Sequence, residues 1–130
     1  MNILDENIDA YQRQRLQAAK IRFRQIGVEI GRSGMKDRND ILPLLRALHR
    51  PTFFTRDHDF YHPQLRHPSH CLVHLDVAPD EVAEYIRRFL RHPAFRPRAQ
   101  RMGKVVRVRS SGIHYWSFGK RRERAMEWSS

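Results

Sequence analysis

The chain of 130 residues is long enough for one domain with a hydrophobic core and short for two. Its apolar content of 40% is ordinary for a globular protein and argues against an intrinsically disordered chain. Lys and Arg total 25 against 14 Asp and Glu, a formal net charge of +11 that suits a polyanionic partner. The single cysteine, Cys71, cannot form an internal disulfide, and no apolar run approaches the roughly 20 residues that cross a bilayer. We therefore expect a folded, soluble, cytoplasmic protein that is not bound to a membrane.

The positive charge is concentrated in the second half of the chain. Residues 1–60 carry 11 basic and 8 acidic side chains, a net +3, whereas residues 61–130 carry 14 and 6, a net +8. From residue 86 to residue 124, 13 Lys and Arg are opposed by Glu123 alone. Most of them are arginines, whose guanidinium group suits phosphate better than an ammonium does. Nucleic acid is the expected polyanion, and an arginine-rich surface that serves only solubility is the alternative.

The predicted elements alternate between strands and helices. Strands are predicted over residues 2–4, 21–26, 52–55, 70–76, 104–109 and 113–118, and helices over residues 9–20, 40–49 and 79–92. Ser110-Ser111-Gly112 joins the last two strands into a hairpin, and residues 120–130 predict a charged, poorly ordered tail. This alternation predicts an α/β layered fold with a mainly parallel central sheet and a C-terminal β-hairpin, in one domain over residues 1–119.

Pro43 decides where the second helix begins. With Asp40 as the N-cap, the proline falls in the first turn, where its missing N–H has no partner to lose. With Asp37 as the N-cap, the proline would lie deep enough to cost a helical hydrogen bond. The sequence therefore favours a helix that begins after Asp40.

Carboxylates stand at the ends of two predicted strands and at the start of a predicted helix. Asp5 closes the first strand, Asp57 and Asp59 close the third, and Asp37 and Asp40 lie at the helix start between them. In a parallel sheet these positions share one edge, so the acids are expected to converge. Carboxylates gathered without Lys neighbours repel one another unless a cation lies among them, and oxygen ligands select Mg²⁺ or Mn²⁺. Such an ion can activate water against a phosphodiester. The plainer interpretation is a solubilising Asp-x-Asp turn.

Three motifs resemble the PIN-like families of toxin nucleases, in order and spacing over about residues 2–76. They are Ile3-Leu4-Asp5-Glu6-Asn7, an acid at a helix start, and Phe54-Thr55-Arg56-Asp57-His58-Asp59-Phe60. The resemblance implies a PIN-like three-layer sandwich with strand order 3-2-1-4-5 and a metal-dependent endoribonuclease. It also implies the toxin component of a toxin–antitoxin pair, with RNA and an acidic antitoxin protein as partners; a homodimer is compatible with it.

The same resemblance assigns the site residues. The residues that it implies to be catalytic are Asp5, Asp40, Asp57 and Asp59, and these with Asp37 are the implied ligands of Mg²⁺ or Mn²⁺. Thr55 matches the family hydroxyl beside the metal site, and Glu6 and Asn7 are also expected next to the ligands.

The middle acid departs from the family pattern. The family has three consecutive acids, whereas Arg38 and Asn39 separate Asp37 from Asp40 here. Spacing from the first motif favours Asp37, spacing back from Asp57 favours Asp40, and we lean to Asp40. A PIN-like protein that binds nucleic acid or a partner without catalysis is therefore the alternative, and a basic surface that mainly docks the antitoxin is a third.

Arg56, Arg107 and Arg109 are the candidate RNA contacts. The last two interleave with valines in the hairpin, ahead of several aromatic residues, and arginines with aromatics can bind single-stranded RNA. A hairpin whose aromatics cap the sheet, and a solvated Arg56, are the structural alternatives. No pair of the histidines in residues 58–74 lies at i, i+4 on a predicted helix, and the chain has only one Cys, so these histidines are not expected to be metal ligands.

Overall fold

A seven-stranded mixed sheet forms the centre of the protein in the computed structural model, which describes residues 1–128. The strands are β1 (Asn2–Leu4), β2 (Arg24–Gln25), β3 (Thr52–Thr55), β4 (Cys71–Leu75), β5 (Lys104–Arg109), β6 (Gly112–Ser117) and β7 (Arg124–Met126). Their order across the sheet is β2-β1-β3-β4-β5-β6-β7. The first five strands in this order are parallel, and β6 and β7 are antiparallel to their neighbours. The predicted α/β fold with a mainly parallel sheet and a C-terminal hairpin is confirmed.

Helices cover both faces of the sheet. They are α1 (Ala10–Ala18), α2 (Arg38–Ala47), α3 (Val82–Arg91) and the short α4 (Arg98–Arg101), with single 3-10 turns at His58–Phe60, Pro63–Leu65 and Pro79–Glu81. α1 and α3 contribute Leu16, Ile86 and Phe89 to the core on one face. α2 contributes Ile41 and Leu45 to the core on the other face. Within residues 1–128, no helix has the length and hydropathy needed to cross a membrane.

β3 is buried on both faces, which explains its uninterrupted apolar run. Phe53 packs edge-on against Phe60 on the α2 face, with 5.2 Å between ring centroids. Phe54 packs against Phe89 of α3 on the opposite face, at 5.9 Å. Burying one such side chain contributes about 1.5–3 kcal/mol to stability. β3 therefore fixes both layers of the fold, and the residues that follow it leave from a rigid support.

The strand order differs from the one that the resemblance implies. The order 3-2-1-4-5 needs two strands beyond β1 on the side of β2, whereas in residues 1–128 β2 is the edge and β3 lies on the other side of β1. The chain after β2 turns instead of extending, because Gly27 and Gly31 adopt φ values of 83° and 62°. Only an isolated bridge joins Ile26 to Ile30 there. The implied strand order is therefore wrong for this chain.

α2 begins one turn earlier than predicted. Asp37, not Asp40, is the N-cap, and its Oδ1 accepts a hydrogen bond from the N–H of Asn39 at 2.7 Å. Pro43 consequently lies inside the helix, where it has no N–H to donate to the carbonyl of Asn39. The apolar face of α2, packed through Ile41 and Leu45, compensates for that lost bond. The expectation that Asp40 caps the helix is wrong.

The C-terminal tail is more structured than predicted. Arg124–Met126 forms β7 beside β6, and the indole N–H of Trp128 donates to the carbonyl of Arg109 at 2.7 Å. Trp128 also packs against Tyr85 of α3, with 5.6 Å between ring centroids. The backbone pairing of β7 with β6 and the packing of the Trp128 indole hold this tail in place, although its high charge predicted disorder. Residues 129 and 130 of the predicted tail lie outside the described residues.

Candidate metal centre

The carboxyl ends of β1 and β3 lie side by side. The chain leaves β1 toward β2 on one side and leaves β3 toward β4 on the other, so the two connections diverge. In open α/β sheets such a switch point opens a crevice where ligands bind. Asp5 follows β1 and Asp57 lies two residues beyond β3. The sheet therefore brings together two carboxylates that are 52 positions apart in the sequence.

Asp5 is a buried carboxylate held by a single side-chain hydrogen bond. Asp5 is only 3% exposed, and its Oδ2 accepts a hydrogen bond from the Thr55 hydroxyl at 2.6 Å. Its other oxygen, Oδ1, is buried without a hydrogen-bond partner among the described residues. Burial raises the pKa of Asp5, and the charge of Asp57 adds to this. The Thr55 hydroxyl and the backbone N–H groups of Glu6 and Asn7 act in the opposite direction without cancelling the rise. An ionised Asp5 is thus costly unless a cation lies beside it.

Thr55 links Asp5 to Asp57. While its hydroxyl donates to Asp5, the same oxygen accepts a hydrogen bond from the N–H of Asp57 at 3.0 Å. Thr55 is fully buried at the end of β3, so its position follows that of the strand. The expectation that Thr55 lies next to the acids agrees with this geometry. One hydroxyl therefore sets both the rotamer of Asp5 and the path of the chain toward Asp57.

Asp57, His58 and Asp59 lie close enough to share one ion. One ligand atom of each lies within 4.8 Å of the others, and the Oδ1 of Asp57 also caps the turn by accepting from the N–H of Asp59 at 2.9 Å. Asp59 is exposed, and its Oδ1 lies 3.3 Å from Nε2 of His58. Asp5 lies outside this group and reaches it through Thr55. The sequence marked the two acids but not His58 as a ligand.

The middle acid of the cluster is Asp37. A cavity of about 410 Å³ is lined by Lys36, Asp37, Arg38, Asn39, Asp57 and Asp59. Asp40 is not among these residues; it faces Arg32, with 3.6 Å between the guanidinium and its carboxylate. Arg38 and Asn39, the first two residues of α2, also line this cavity, and the positive end of a helix dipole favours negative charge beside it. The geometry thus favours Asp37 as the middle acid, whereas the sequence analysis favoured Asp40.

The cavity also contains positive charge that was not expected. Lys36 and Arg38 line it beside the acids, although the sequence argument assumed acids without Lys neighbours. No ion pair within 4 Å joins either of them to Asp57 or Asp59 in residues 1–128. The two cations therefore reduce the local excess of negative charge without occupying the carboxylate oxygens.

The donor set fits a hard divalent cation. Three carboxylates converge on one edge through Asp37, Asp57 and Asp59, and Asp5 adds a buried oxygen that lacks a hydrogen bond. Oxygen donors of this kind suit Mg²⁺ or Mn²⁺, which keep several waters in their coordination shell. The imidazole of His58 is the one softer donor in the group. These residues could hold one such ion at the mouth of the crevice.

Gln25 holds the turn that carries Asp5. Its side-chain amide is buried and donates to the carbonyls of Asp5 at 3.0 Å and Ile8 at 2.7 Å. Glu6, expected next to the metal ligands, instead accepts a hydrogen bond from the N–H of Gly34 at 2.8 Å and so ties down the loop after β2. Asn7 lies exposed in the turn. The position of Asp5 therefore depends on a glutamine that no sequence motif marks.

Replacing Gln25 by alanine should destabilise the fold. The Ile8 carbonyl would lose its donor, while the Asp5 carbonyl would keep the N–H of Ile8. One unsatisfied buried group costs about 1–3 kcal/mol, and we expect a loss of that size. Urea unfolding of Gln25→Ala and of the exposed control Gln14→Ala would measure the difference. A loss no larger than that of the control would mean that water replaces the amide.

Arg107 lies on the same edge of the sheet, two strands from Thr55. Its Nε donates to Nδ1 of His74 at 3.1 Å, and its guanidinium carbon lies 4.2 Å from the centre of the Tyr61 ring. Burial lowers the pKa of His74 to about 4, so its ring is neutral near neutral pH and Nδ1 can accept. The two contacts fix the guanidinium and leave its two terminal nitrogens without a hydrogen-bond partner in residues 1–128. This arrangement suits a phosphate oxygen.

The other two candidate RNA contacts are engaged with the protein. Nε of Arg109 pairs with the carboxylate of Asp76 at 2.7 Å, which lowers the pKa of Asp76. Arg56 is exposed, and one of its terminal nitrogens donates to the carbonyl of Val77 at 3.3 Å. Of the three arginines, Arg107 is therefore the one that is held by two side chains without a carboxylate to neutralise its charge.

No family model matches the chain, and neither a curated protein nor a solved structure matches it.

Proposed function

We propose that this protein is a PIN-like, metal-dependent endoribonuclease that cleaves RNA phosphodiesters. The observation that carries the proposal is the buried carboxylate of Asp5, whose Oδ1 has no hydrogen bond among the described residues and which Thr55 links to Asp57. Leaving a buried polar atom unsatisfied costs about 1–3 kcal/mol, and more when the group is charged. A cation at the carboxyl edge of the sheet would remove that cost.

Each side chain of the centre has a role in this proposal. Asp5, Asp57 and Asp59 hold Mg²⁺ or Mn²⁺, and Asp37 completes the acidic wall of the cavity. Thr55 orients Asp5 by donating to its Oδ2. A bound divalent ion supplies an activated water and neutralises charge that develops on the phosphate.

The substrate side of the proposal is supported by charge. A chain with a net charge of +11 attracts a polyanion over distances set by the Debye length, about 8 Å at physiological salt. Arg107 would bind a phosphate oxygen near the acids, since its terminal nitrogens are the free part of its fork. The same positive surface would suit an acidic antitoxin, and the proposal includes the role of toxin in such a pair.

Binding without cleavage is the second candidate function. Lys36 and Arg38 line the same cavity as the acids, and cations in that position favour a phosphate there without a metal ion. In this case the chain would bind RNA or a partner protein in the presence of a chelator and yield no product.

An RNA cleavage assay with matched acid variants tests the proposal. The parent should cut a fluorescent single-stranded RNA with Mg²⁺ or Mn²⁺ and stop when EDTA is added. Asp37→Asn should lower the rate about 10- to 100-fold, the range for residues that support metal ligands. Asn also caps helices well, so α2 should stay folded. Asp40→Asn, which changes an acid outside the cavity, is the control and should keep the parent rate.

The outcomes separate the two functions. Cleavage that survives EDTA would contradict the metal-dependent mechanism. RNA binding that persists in EDTA, with no product under any metal, would favour the second candidate. A rate that falls for Asp40→Asn and not for Asp37→Asn would show that Asp40, and not Asp37, is the middle acid of the centre.

A further inference from the structure

Residues 120–124, named here the basic segment, are anchored at three points. The guanidinium of Arg66 donates to the carbonyls of Ser117, at 2.8 Å, and Lys120, which fixes the start of the segment. The phenol of Tyr61 donates to the carboxylate of Glu123 at 2.5 Å. The last residue of the segment, Arg124, already belongs to β7. A segment with the composition of a flexible tail is therefore held against the body of the protein.

Four of the five side chains in the basic segment are positive, and they stand around one depression. A cavity of about 410 Å³ is lined by Lys120, Arg121, Arg122 and Arg124, all of them exposed. None of the four forms an ion pair with a carboxylate within residues 1–128. Four like charges at one depression repel one another, so the arrangement favours an anion of several charges.

Glu123 is the one acid in the basic segment, and its hydrogen bond points it away from this charge. Its carboxylate is engaged by the phenol of Tyr61 and makes no ion pair with the neighbouring arginines. The Tyr61 contact therefore keeps the full charge of the four basic side chains available.

An aromatic side chain lies exposed beside the basic segment. Phe118 is 56% exposed, two residues before Lys120 and directly after the carbonyl that Arg66 fixes. An exposed ring beside arginines provides the two things that a single-stranded nucleic acid needs: a surface on which a base stacks and charge for the phosphates. An acidic protein would need the charge but not the ring.

The basic segment is connected to the metal centre through Tyr61. Tyr61 follows Asp59 by two residues, which places the two Cα atoms within about 8 Å of each other. The guanidinium carbon of Arg107 also lies 4.2 Å from the centre of the Tyr61 ring. The acids and Arg107 thus lie toward the carboxyl ends of the parallel strands, whereas the basic segment follows the other end of β6, where Ser117 pairs with Lys104. Tyr61 joins the two regions across the face of the sheet, and a strand of nucleotides that follows this face could touch both.

We propose that the basic segment, with Phe118, is a binding surface for single-stranded RNA, joined to the proposed cleavage centre through Tyr61. This inference rests on the proposed function for its choice of RNA, but it concerns binding and not cleavage. Tyr61 acts as a positioning residue, because it binds Glu123 and supports Arg107 without touching the RNA itself.

The test compares two pairs of arginines beside the two outermost strands of the sheet, β7 and β2. Arg121→Gln/Arg122→Gln alters the basic segment beside β7, and Arg22→Gln/Arg24→Gln removes the same charge at the β2 edge. Binding of a fluorescent oligouridine of about 12 nucleotides is followed by anisotropy in EDTA, over a range of salt concentrations. All four arginines are exposed and form no ion pairs in residues 1–128, so both variants should unfold at the temperature of the parent.

The expected result is a selective loss. The segment variant should bind about tenfold more weakly than the parent, because two exposed charge contacts are removed. Its slope of log K against log salt should be shallower by about 1.4, which is 0.7 for each lost phosphate contact with a single strand. The control variant should lose less than about twofold. Tyr61→Phe, which frees Glu123 to pair with the arginines, should weaken binding in the same direction.

Three results would overturn the proposal. They are equal losses in both arginine variants, no loss in the segment variant, and a segment variant that loses binding to polyglutamate while keeping RNA. The last would assign the surface to an acidic protein. Repeating the titration with Asp57→Asn separates binding from catalysis. If only the segment variant loses RNA binding and the parent never cleaves RNA, the proposed ribonuclease activity is wrong and the proposed binding surface is still supported.

Discussion

Replacing Asp57 by asparagine should lower metal-dependent RNA cleavage about a thousandfold or more, because a lost metal ligand is worth several kcal/mol and each 1.36 kcal/mol is a factor of ten. The fold should remain. The Oδ1 of asparagine can still accept the hydrogen bond from the N–H of Asp59 that caps the turn. Initial rates on a fluorescent RNA at saturating Mg²⁺ or Mn²⁺, with thermal unfolding in parallel, would measure both effects.

Asp80→Asn provides the matched control for this variant. Asp80 is an exposed acid in the 3-10 turn that precedes α3, and it lies outside the cavity of the metal centre. Its replacement removes one negative charge from the same protein and should leave the rate unchanged. If Asp57→Asn cleaves RNA as fast as Asp80→Asn, Asp57 is not a catalytic residue.

Replacing Asp5 by asparagine should abolish cleavage and, in EDTA at neutral pH, make the protein more stable. Asn removes the buried charge and keeps a similar shape, so the free energy of unfolding should rise by about 1–3 kcal/mol. The sign follows from the pKa of Asp5, which burial raises above its ordinary value of 3.8. The native state then holds this proton more tightly than the unfolded state does. The stability of the parent should fall as the pH rises from 3.8 through the raised pKa, and the variant should lack that loss.

With divalent ions present, the parent should become more stable than Asp5→Asn. An ion that binds only the native state stabilises the parent by RT ln(1 + [L]/Kd), so the unfolding temperature of the parent should rise with ion concentration. Asp5→Asn should show little or none of this increase, because it has lost the buried ligand. Calorimetry with Mn²⁺ and with EDTA gives both results. A variant that is less stable than the parent in EDTA would show that Oδ1 of Asp5 is satisfied in solution, and the argument from its burial would fail.

Local signals in the sequence predicted much of the fold. Each strand from β3 to β6 lies within a residue or two of its predicted bounds, and α3 has its acids and apolar spacing where the pattern placed them. β2 is shorter than predicted because its partner β1 has three residues, and only Ile3 and Leu4 pair with it. The start of α2 was missed because the cost of an internal proline was weighed without the packing of Ile41 and Leu45 that compensates for it.

The candidate site was predictable only where topology alone brings residues together. Asp5 and Asp57 were marked by their positions after parallel strands, and a parallel sheet places such ends on one edge. The choice between Asp37 and Asp40 depends on the helix start, which the sequence did not determine. Contacts such as Gln25 with Asp5, Arg107 with His74 and Tyr61 with Glu123 join residues 20, 33 and 62 positions apart. No local pattern encodes such pairings.

Both borders of the sheet are unusually short, which restricts how two copies of the chain could associate. β2 has two residues and β7 has three, and each presents an arginine, Arg24 or Arg124, at its exposed end. Short, charged borders resist the strand-to-strand joining that leads to fibrils or continuous sheets. A homodimer of this protein would therefore have to form through a helical face, where packing and not backbone hydrogen bonding holds the subunits together.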